Sequence, residues 1–330
     1  MNAVALRALR HVGFMLAVPV AMHVLADRAA AQLVADKPIR ILVPIAAGGA
    51  TDLTARYVAQ KLTESLKLNV FVENKPGGQY IPILKELTGS AADGHTIMMI
   101  STAMVVTQPM HADYPFDLAK LTPITEVSSG PMILVARPSL GVKTVAELIT
   151  YAKANPDKLT FGSGGGVSGT FSVSTELLKL RTGIKVKNVA YRGAALALND
   201  LLGGHIDAMF DAMPVQVQQA KAGKVVPLIV TSARRSTALP DVQTSTEAGI
   251  ADFTVTNYFA LLGPPAMPPA VTQRLRDEVA KAVRSPEAMA EFEKQGVTAI
   301  GGTPAELGNL IKADLARWAK VIKEAGIKPE

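Results

Sequence analysis

The sequence predicts an α/β chain folded as two domains. Three observations carry this. Short buried-strand patterns alternate with amphipathic helical stripes along most of the chain. Hydrophobic residues make up 48% against 19% charged and 5% aromatic, a balance that packs into cores rather than staying disordered. A length of 330 residues supplies enough apolar surface for two separate cores.

The chain opens with Arg7, Arg10 and His11 ahead of an apolar stretch, Val12 to Leu25. That stretch is too short, and too interrupted by Pro19, to span a bilayer. Ala29-Ala30-Ala31 supplies small residues for cleavage before Gln32, so residues 1–31 are expected to be a removed signal peptide. The chain has no cysteine, which excludes a lipid anchor and fits an exported, soluble periplasmic protein.

Ile39 to Val43 reads as the first buried strand. It gives way to Gly48-Gly49, and a helix follows with Leu53, Tyr57, Val58, Leu62 and Leu66 as its apolar stripe and Thr51 or Asp52 as N-cap. A strand feeding a glycine turn and then a helix leaves backbone N–H groups free at the helix's positive end, a geometry that suits an anion. The lysine of GxxxxGK[ST] is absent and GxGxxG does not occur here, so this is neither a triphosphate loop nor a dinucleotide fingerprint. Standing alone, the unit fits a tight turn without a ligand equally well.

Asn69 to Glu73 is the second strand, Asn74 to Gly78 a turn, Ile83 to Leu87 a helical piece, and Thr96 to Ser101 a third strand beside the first. Strands alternating with helices predict a parallel sheet, whose ligands sit outside the carboxyl ends of the strands. Gly48 to Asp52 and Ser101 to Met104 should therefore share one rim. Pro131 to Ala136 is a strand carrying the chain into the second domain. Thr144 and Glu147 have capping-box spacing, and that helix ends at Asn155-Pro156.

A short strand, Leu159 to Phe161, runs into Gly162-Ser163-Gly164-Gly165-Gly166-Val167-Ser168-Gly169-Thr170. A helix follows, with Phe171, Ser174, Leu177, Leu178 and Arg181 in register and Gly183 past its end. This second strand–glycine loop–helix unit is richer than the first, with three hydroxyls among five glycines. Strands are predicted at Lys185 to Tyr191, Ile206 to Phe210 and Val225 to Thr231, and helices at Ala194 to Leu202 and Gln216 to Ala222. Near Thr254 to Leu262 a strand returns to the first domain. Two helices finish the chain. Val271, Leu275, Val279 and Val283 stripe the first; Thr303 to Glu306 caps the last, with Leu307, Leu310, Ile311, Leu315 and Trp318 facing inward.

The chemistry of catalysis is missing. The net charge of +6 is spread along the sequence with no basic cluster interleaved with aromatics, which argues against nucleic acid. Beyond the leader only His95, His111 and His205 remain, and none stands at metal-ligand spacing from another; no GxSxG elbow occurs. Asp207 and Asp211 lie four apart where a strand meets a turn, which favours turn or capping roles over acid–base work, although Asp211 can reach a cleft. No metal, cofactor or catalytic residue is expected. What the chain offers is hydrogen-bond donation from backbone and hydroxyls, and that means binding.

At this point the chain resembles a family: the substrate-binding proteins of tripartite tricarboxylate transporters, the TctC or Bug group of periplasmic solute receptors. Val43-Pro44-Ile45-Ala46-Ala47-Gly48-Gly49-Ala50-Thr51-Asp52 is similar to its VPFxxGGxxD. Val72 to Gly77 matches VENKPG, Asp93 to Thr96 matches DGYT, Tyr191-Arg192-Gly193-Ala194 is similar to YKGxxPA, and Asp200 to Asp207 matches DLLGGxxD. Val230 to Gly249 follows its VTSxxRSxxLPDVPTxxEAG. The order and spacing of the motifs, over essentially the whole mature chain, make the resemblance specific.

The resemblance implies a type 2 periplasmic-binding fold, two doubly wound α/β domains joined by a hinge crossed twice. Domain 1 would take 32–130 and 255–330, and domain 2 would take 131–254. It implies a small carboxylate held in the cleft between two glycine loops, delivery to the membrane permease subunits of a transporter, and a monomer. Ligand contacts would fall on Gly48, Gly49, Ala50, Thr51, Asp52 and Ser101 on one side, and on Ser163, Gly164, Gly165, Ser168, Gly169, Thr170, Tyr191 and Asp211 on the other. The family's usual Phe and prolines are replaced by Ile45, Ala46 and Ala47, and its PGAGG run by Pro76-Gly77-Gly78-Gln79-Tyr80. Tyr80 and Phe171 in these altered loops suggest two alternatives: a ligand bulkier or more aromatic than citrate, or two rings that simply pack on their own domains. The competing readings, an enzyme acting on a small acid and the sensing domain of a regulator, lack a catalytic set and an N-terminal helix-turn-helix respectively.

Overall fold

The computed structural model describes residues 37–164 and 169–327. The expected signal segment, 1–31, and Gly165 and Ser168 of the second glycine loop, lie outside the described residues. In the first part of the chain, β1 (Ile39–Val43), α1 (Ala50–Leu66), β2 (Val70–Asn74), α2 (Ile81–Thr88), β3 (Thr96–Ser101) and α3 (Thr102–Met110) follow in order. Next comes β4 (Thr122–Ala136), then α4 (Val145–Ala154), β5 (Thr160–Gly164), α5 (Thr170–Thr182), β6 (Lys187–Tyr191), α6 (Ala194–Leu202), β7 (Ala208–Ala212), α7 (Met213–Lys221) and β8 (Val226–Val230). The chain closes with β9 (Thr256–Gly263), α8 (Pro269–Val283), α9 (Pro286–Lys294), β10 (Thr298–Ala299) and α10 (Pro304–Ala325).

Two sheets share one strand. The first runs β2-β1-β3-β9-β4, with β10 also on β4; in the second, β6-β5-β7-β4 continues onto β8. Strand β4 has 15 residues, about 50 Å of extended chain. Thr122 to Pro131 pair with β9, and Met132 to Ala136 pair with β7 and β8. Sequence reading finds only its last third, because Pro123, Ser128, Ser129 and Gly130 interrupt the apolar pattern upstream.

The expectation of a parallel sheet needs correction. β1 is parallel to β2 and β3, and β5 to β6 and β7, but β9 runs antiparallel to β3 and β4, and β4 antiparallel to β7 and β8. β9 and β10 run against the other strands of the first sheet and β4 against those of the second, so each sheet is mixed. Within each sheet the parallel strands end together, and the two sets of ends face each other because β3 runs with β4 and β7 runs against it; there β1, β3, β5 and β7 each pass into a helix, as does β6.

Three further local expectations are corrected. The N-cap of α1 is Gly49, not Thr51 or Asp52, because Asp52 lies inside the first turn and reaches back to the Gly48 N–H at 2.9 Å. Leu53 is 49% exposed, while Tyr57 turns edge-on to Phe292 of α9 with ring centres 5.4 Å apart. Three helices, not two, follow β9; the missed one, α9, starts at Ser285, whose hydroxyl caps the Ala288 N–H. The cap on α10 is as read: Thr303 accepts from the Glu306 N–H and Glu306 accepts from the Thr303 N–H. Thr303→Ala should cost about 1 kcal/mol in urea denaturation, with no change in the sheets.

Candidate functional site

The carboxyl ends of the parallel strands meet in a cavity between the two sheets. Ile45, Ala50 and Thr51 line it from the β1–α1 turn, Ser101 and Ala103 from the β3–α3 junction, and Asn257 and Phe259 from β9. Across from these stand Gly164, Phe171 and Ala194, with Asp211 and Ala212 at the end of β7. Asn257 and Phe259 share a face because strand side chains alternate.

Five helices begin at this cavity. Ala50 and Thr51 open α1, Ser101 is the N-cap of α3, and Phe171 is the second residue of α5. Ala194 is the first residue of α6, and Ala212 is the N-cap of α7. The first turn of a helix leaves N–H groups without intrahelical acceptors and carries the positive end of the dipole. Five such ends around one space make it a receptacle for negative charge. Sequence reading finds two of the five; α3 and α7 follow their strands without glycine, and α6 has the single Gly193 as its N-cap rather than a glycine-rich loop.

Two buried polar atoms support the presence of a guest. Among the described residues, Asn257 Oδ1, in the cavity wall, and the hydroxyl of Thr170, next to the lining residue Phe171, have no hydrogen-bond partner. Buried polar atoms are nearly always satisfied, so orphans beside a cavity mark where a ligand or water completes the set.

Several expected contact residues act instead as supports. Asp52 is buried and takes hydrogen bonds from the Gly48 N–H, from Arg56 Nε at 3.0 Å and from Asn74 Nδ2 at 2.9 Å. Burial alone would raise its pKa, but Arg56, Gly48 and Asn74 outweigh that and hold the carboxyl below its ordinary value. It fastens the Gly48–Gly49 turn, which needs glycine at 48 for a φ of +89°. Asp52→Ala strands those donors, so affinity for any guest of the α1 amides should fall at least tenfold, or about 1.4 kcal/mol, by calorimetry.

Ser163 also faces away from the cavity. Its hydroxyl donates to Asn188 Oδ1, and Asn188 Nδ2 donates to Ser172, which ties β5, β6 and α5 together. The hydroxyl of Tyr191 donates to Asp200 at 2.6 Å, and burial together with that carboxylate pushes the phenol up to about 12. Tyr191 thus anchors β6 to α6 rather than reaching the cavity. Gly169 is the N-cap of α5. Phe171 lines the cavity as the altered loop suggested, but Tyr80 is buried in the core and is not part of the wall. Asp211 does line it, buried at 1% exposure. Sequence reading missed Asn257 and Phe259, which carry no motif and reach the site only because β9 returns between β3 and β4.

The turn after β1 and the start of α6 also approach each other closely. A β-carbon on Gly193 would stand 3.1 Å from that of Ala46, and one on Gly48 would stand 3.5 Å from that of Ala195.

Residues 54–327 match the family described as tripartite tricarboxylate transporter family receptor. The chain belongs to this family. The receptor is 32% identical over 295 residues to protein BugT of Bordetella pertussis, covering 88% of this chain and 90% of that one. Its fold superposes on the periplasmic binding protein BugD with a TM-score of 0.84 and 28% identity, over 89% of this chain and 99% of the other. It superposes equally on R. palustris Rpa4515 with adipate, TM-score 0.84 and 30% identity, over 89% and 99% of the two chains. The receptor therefore has the type 2-like periplasmic-binding architecture, and its relatives are binding receptors rather than enzymes. No helix among the described residues is long and apolar enough to cross a membrane.

Proposed function

We propose that this receptor captures a small carboxylate in the cavity and hands it to the membrane permease subunits of a tripartite tricarboxylate transporter. The observation that carries this reading is the meeting of five helix N-termini in one cavity. The structure of Rpa4515 with adipate, a relative of the same architecture, supports the choice of anion. The lobes are 32–130 with 255–330, and 131–254, hinged where β4 passes from β9 to β7 and where the chain enters β9. A carboxylate shared by amides from both lobes selects the closed arrangement, which the permease then reads.

Residues 1–31 act as the cleaved leader and the mature protein works in the periplasm. The apolar wall formed by Ile45, Phe171 and Phe259 favours a guest with hydrocarbon between or beside its polar ends. Calorimetric titration with adipate, succinate, citrate and an aromatic dicarboxylate tests this, with product analysis of any acid that binds. Adipate or the aromatic acid should bind more tightly than citrate and be recovered intact. Binding of none of them, or consumption of the one bound, overturns the proposal.

A further inference from the structure

We infer that Asp211 takes up a proton as a carboxylate guest enters, so that capture consumes one proton from solution and the neutral Asp211 carboxyl donates a hydrogen bond to the guest. The inference rests on the reading that this cavity holds a carboxylate. Asp211 is the one ionisable side chain in the described cavity wall. Its Oδ1 accepts from the Ala212 N–H at 2.8 Å and its Oδ2 accepts from Gln216 Nε2 at 2.7 Å. Each oxygen keeps lone-pair capacity beyond those bonds.

No described cation is paired with Asp211. The charged groups on the elements packed around β7 are engaged elsewhere or lie far along them. Asp200 of α6 accepts from Tyr191, Glu176 of α5 pairs with Lys179, and Asp52 of α1 pairs with Arg56. Lys221 is the last residue of α7, and Glu126 lies in the part of β4 that pairs with β9. The segment 165–168 is Gly-Gly-Val-Ser and carries no charge.

A bound carboxylate therefore shares a buried cavity with a second carboxyl group and with no cation among the described lining residues, an arrangement in which both groups do not stay ionised. Burial already pushes Asp211 up to about 6 before any guest arrives, although Gln216 and the Ala212 N–H each pull it down. A second negative charge pushes it higher, through neutral pH. The helix N-termini then serve the guest, and the proton on Asp211 removes the repulsion.

The test is titration of the purified receptor with adipate, a dianion from about pH 6.5 to 8.5, in two buffers with different ionisation heats. The dissociation constant should rise about tenfold per pH unit, with close to one proton taken up per adipate bound. Asp211→Asn imitates the protonated carboxyl and should bind with a flat pH profile, whereas Asp157→Asn, in an exposed turn outside the cavity wall, should keep the wild-type slope. A flat wild-type profile with no proton exchanged overturns the inference, and so does a wild-type slope in Asp211→Asn. Capture of ammonium-bearing acids alone also overturns it, since a cation would then satisfy an ionised Asp211. Should the Asn variant fail to fold, proton uptake by the wild type decides alone. Failure of every carboxylate at every pH would instead overturn the proposed function itself.

Discussion

Gly164→Ala is expected to abolish capture, raising the dissociation constant for a carboxylate at least about a hundredfold, or about 2.7 kcal/mol. A β-carbon at 164 would lie 2.4 Å from Ala194 Cα and 2.5 Å from Ala194 N. These are backbone atoms in the first turn of α6, so no rotamer change relieves the contact. The start of α6 must move away from β5 and take one of the five positive ends out of the cavity. The same displacement should cost about 3 kcal/mol of stability, as overpacking of a close-packed interior does. Calorimetry and urea denaturation on the one variant separate the two effects. Unchanged affinity would show that α6 has no part in holding the guest.

Asp211→Asn is expected to stabilise the fold at neutral and alkaline pH. The folded-state value of about 6 stands above an unfolded value of 3.8, so the native protein holds this proton more tightly than the unfolded chain. Stability from this group is therefore full below about 4, is lost as pH rises through about 6, and stays lost above that. Two pH units correspond to about 3 kcal/mol, an upper figure because Asn also weakens the bonds from Gln216 and Ala212. Groups shifted the other way, such as Asp52 and Asp93, gain their stability at lower pH, below about 4, and distort the acid end of a single curve. The difference between wild type and variant at about pH 4 and pH 8 removes them. No widening of that difference with pH would contradict the buried, uncompensated carboxyl. A group retained at a cost to stability is the usual mark of a functional site.

The strand–glycine–helix units were legible because they are local: Val43 to Leu62 and Phe161 to Leu178 each show an apolar run, a break and a helical stripe. Capping of α10 was legible for the same reason, since Thr303 and Glu306 are three residues apart. What was not legible depends on topology. Nothing in Asn257 or Phe259 announces a site; they arrive there because β9 is inserted antiparallel between β3 and β4. Ser163, Asp52 and Tyr191 have the polarity expected of ligand contacts. Their hydrogen bonds to Asn188, Gly48 and Asp200 turn them to support, a distinction that chain spacing does not encode. The family motifs fall on segments that reach the cavity but do not separate residues that line it from residues that hold its walls.

A crystal structure of the receptor grown with adipate tests the central claim most directly. One carboxylate should lie within hydrogen-bond distance of backbone N–H groups at the start of α1 and at the start of α5 together, with the acid chain against Phe171 and Phe259. An acid bound outside this cavity, or held by side-chain cations with those helix termini left to water, would contradict the account.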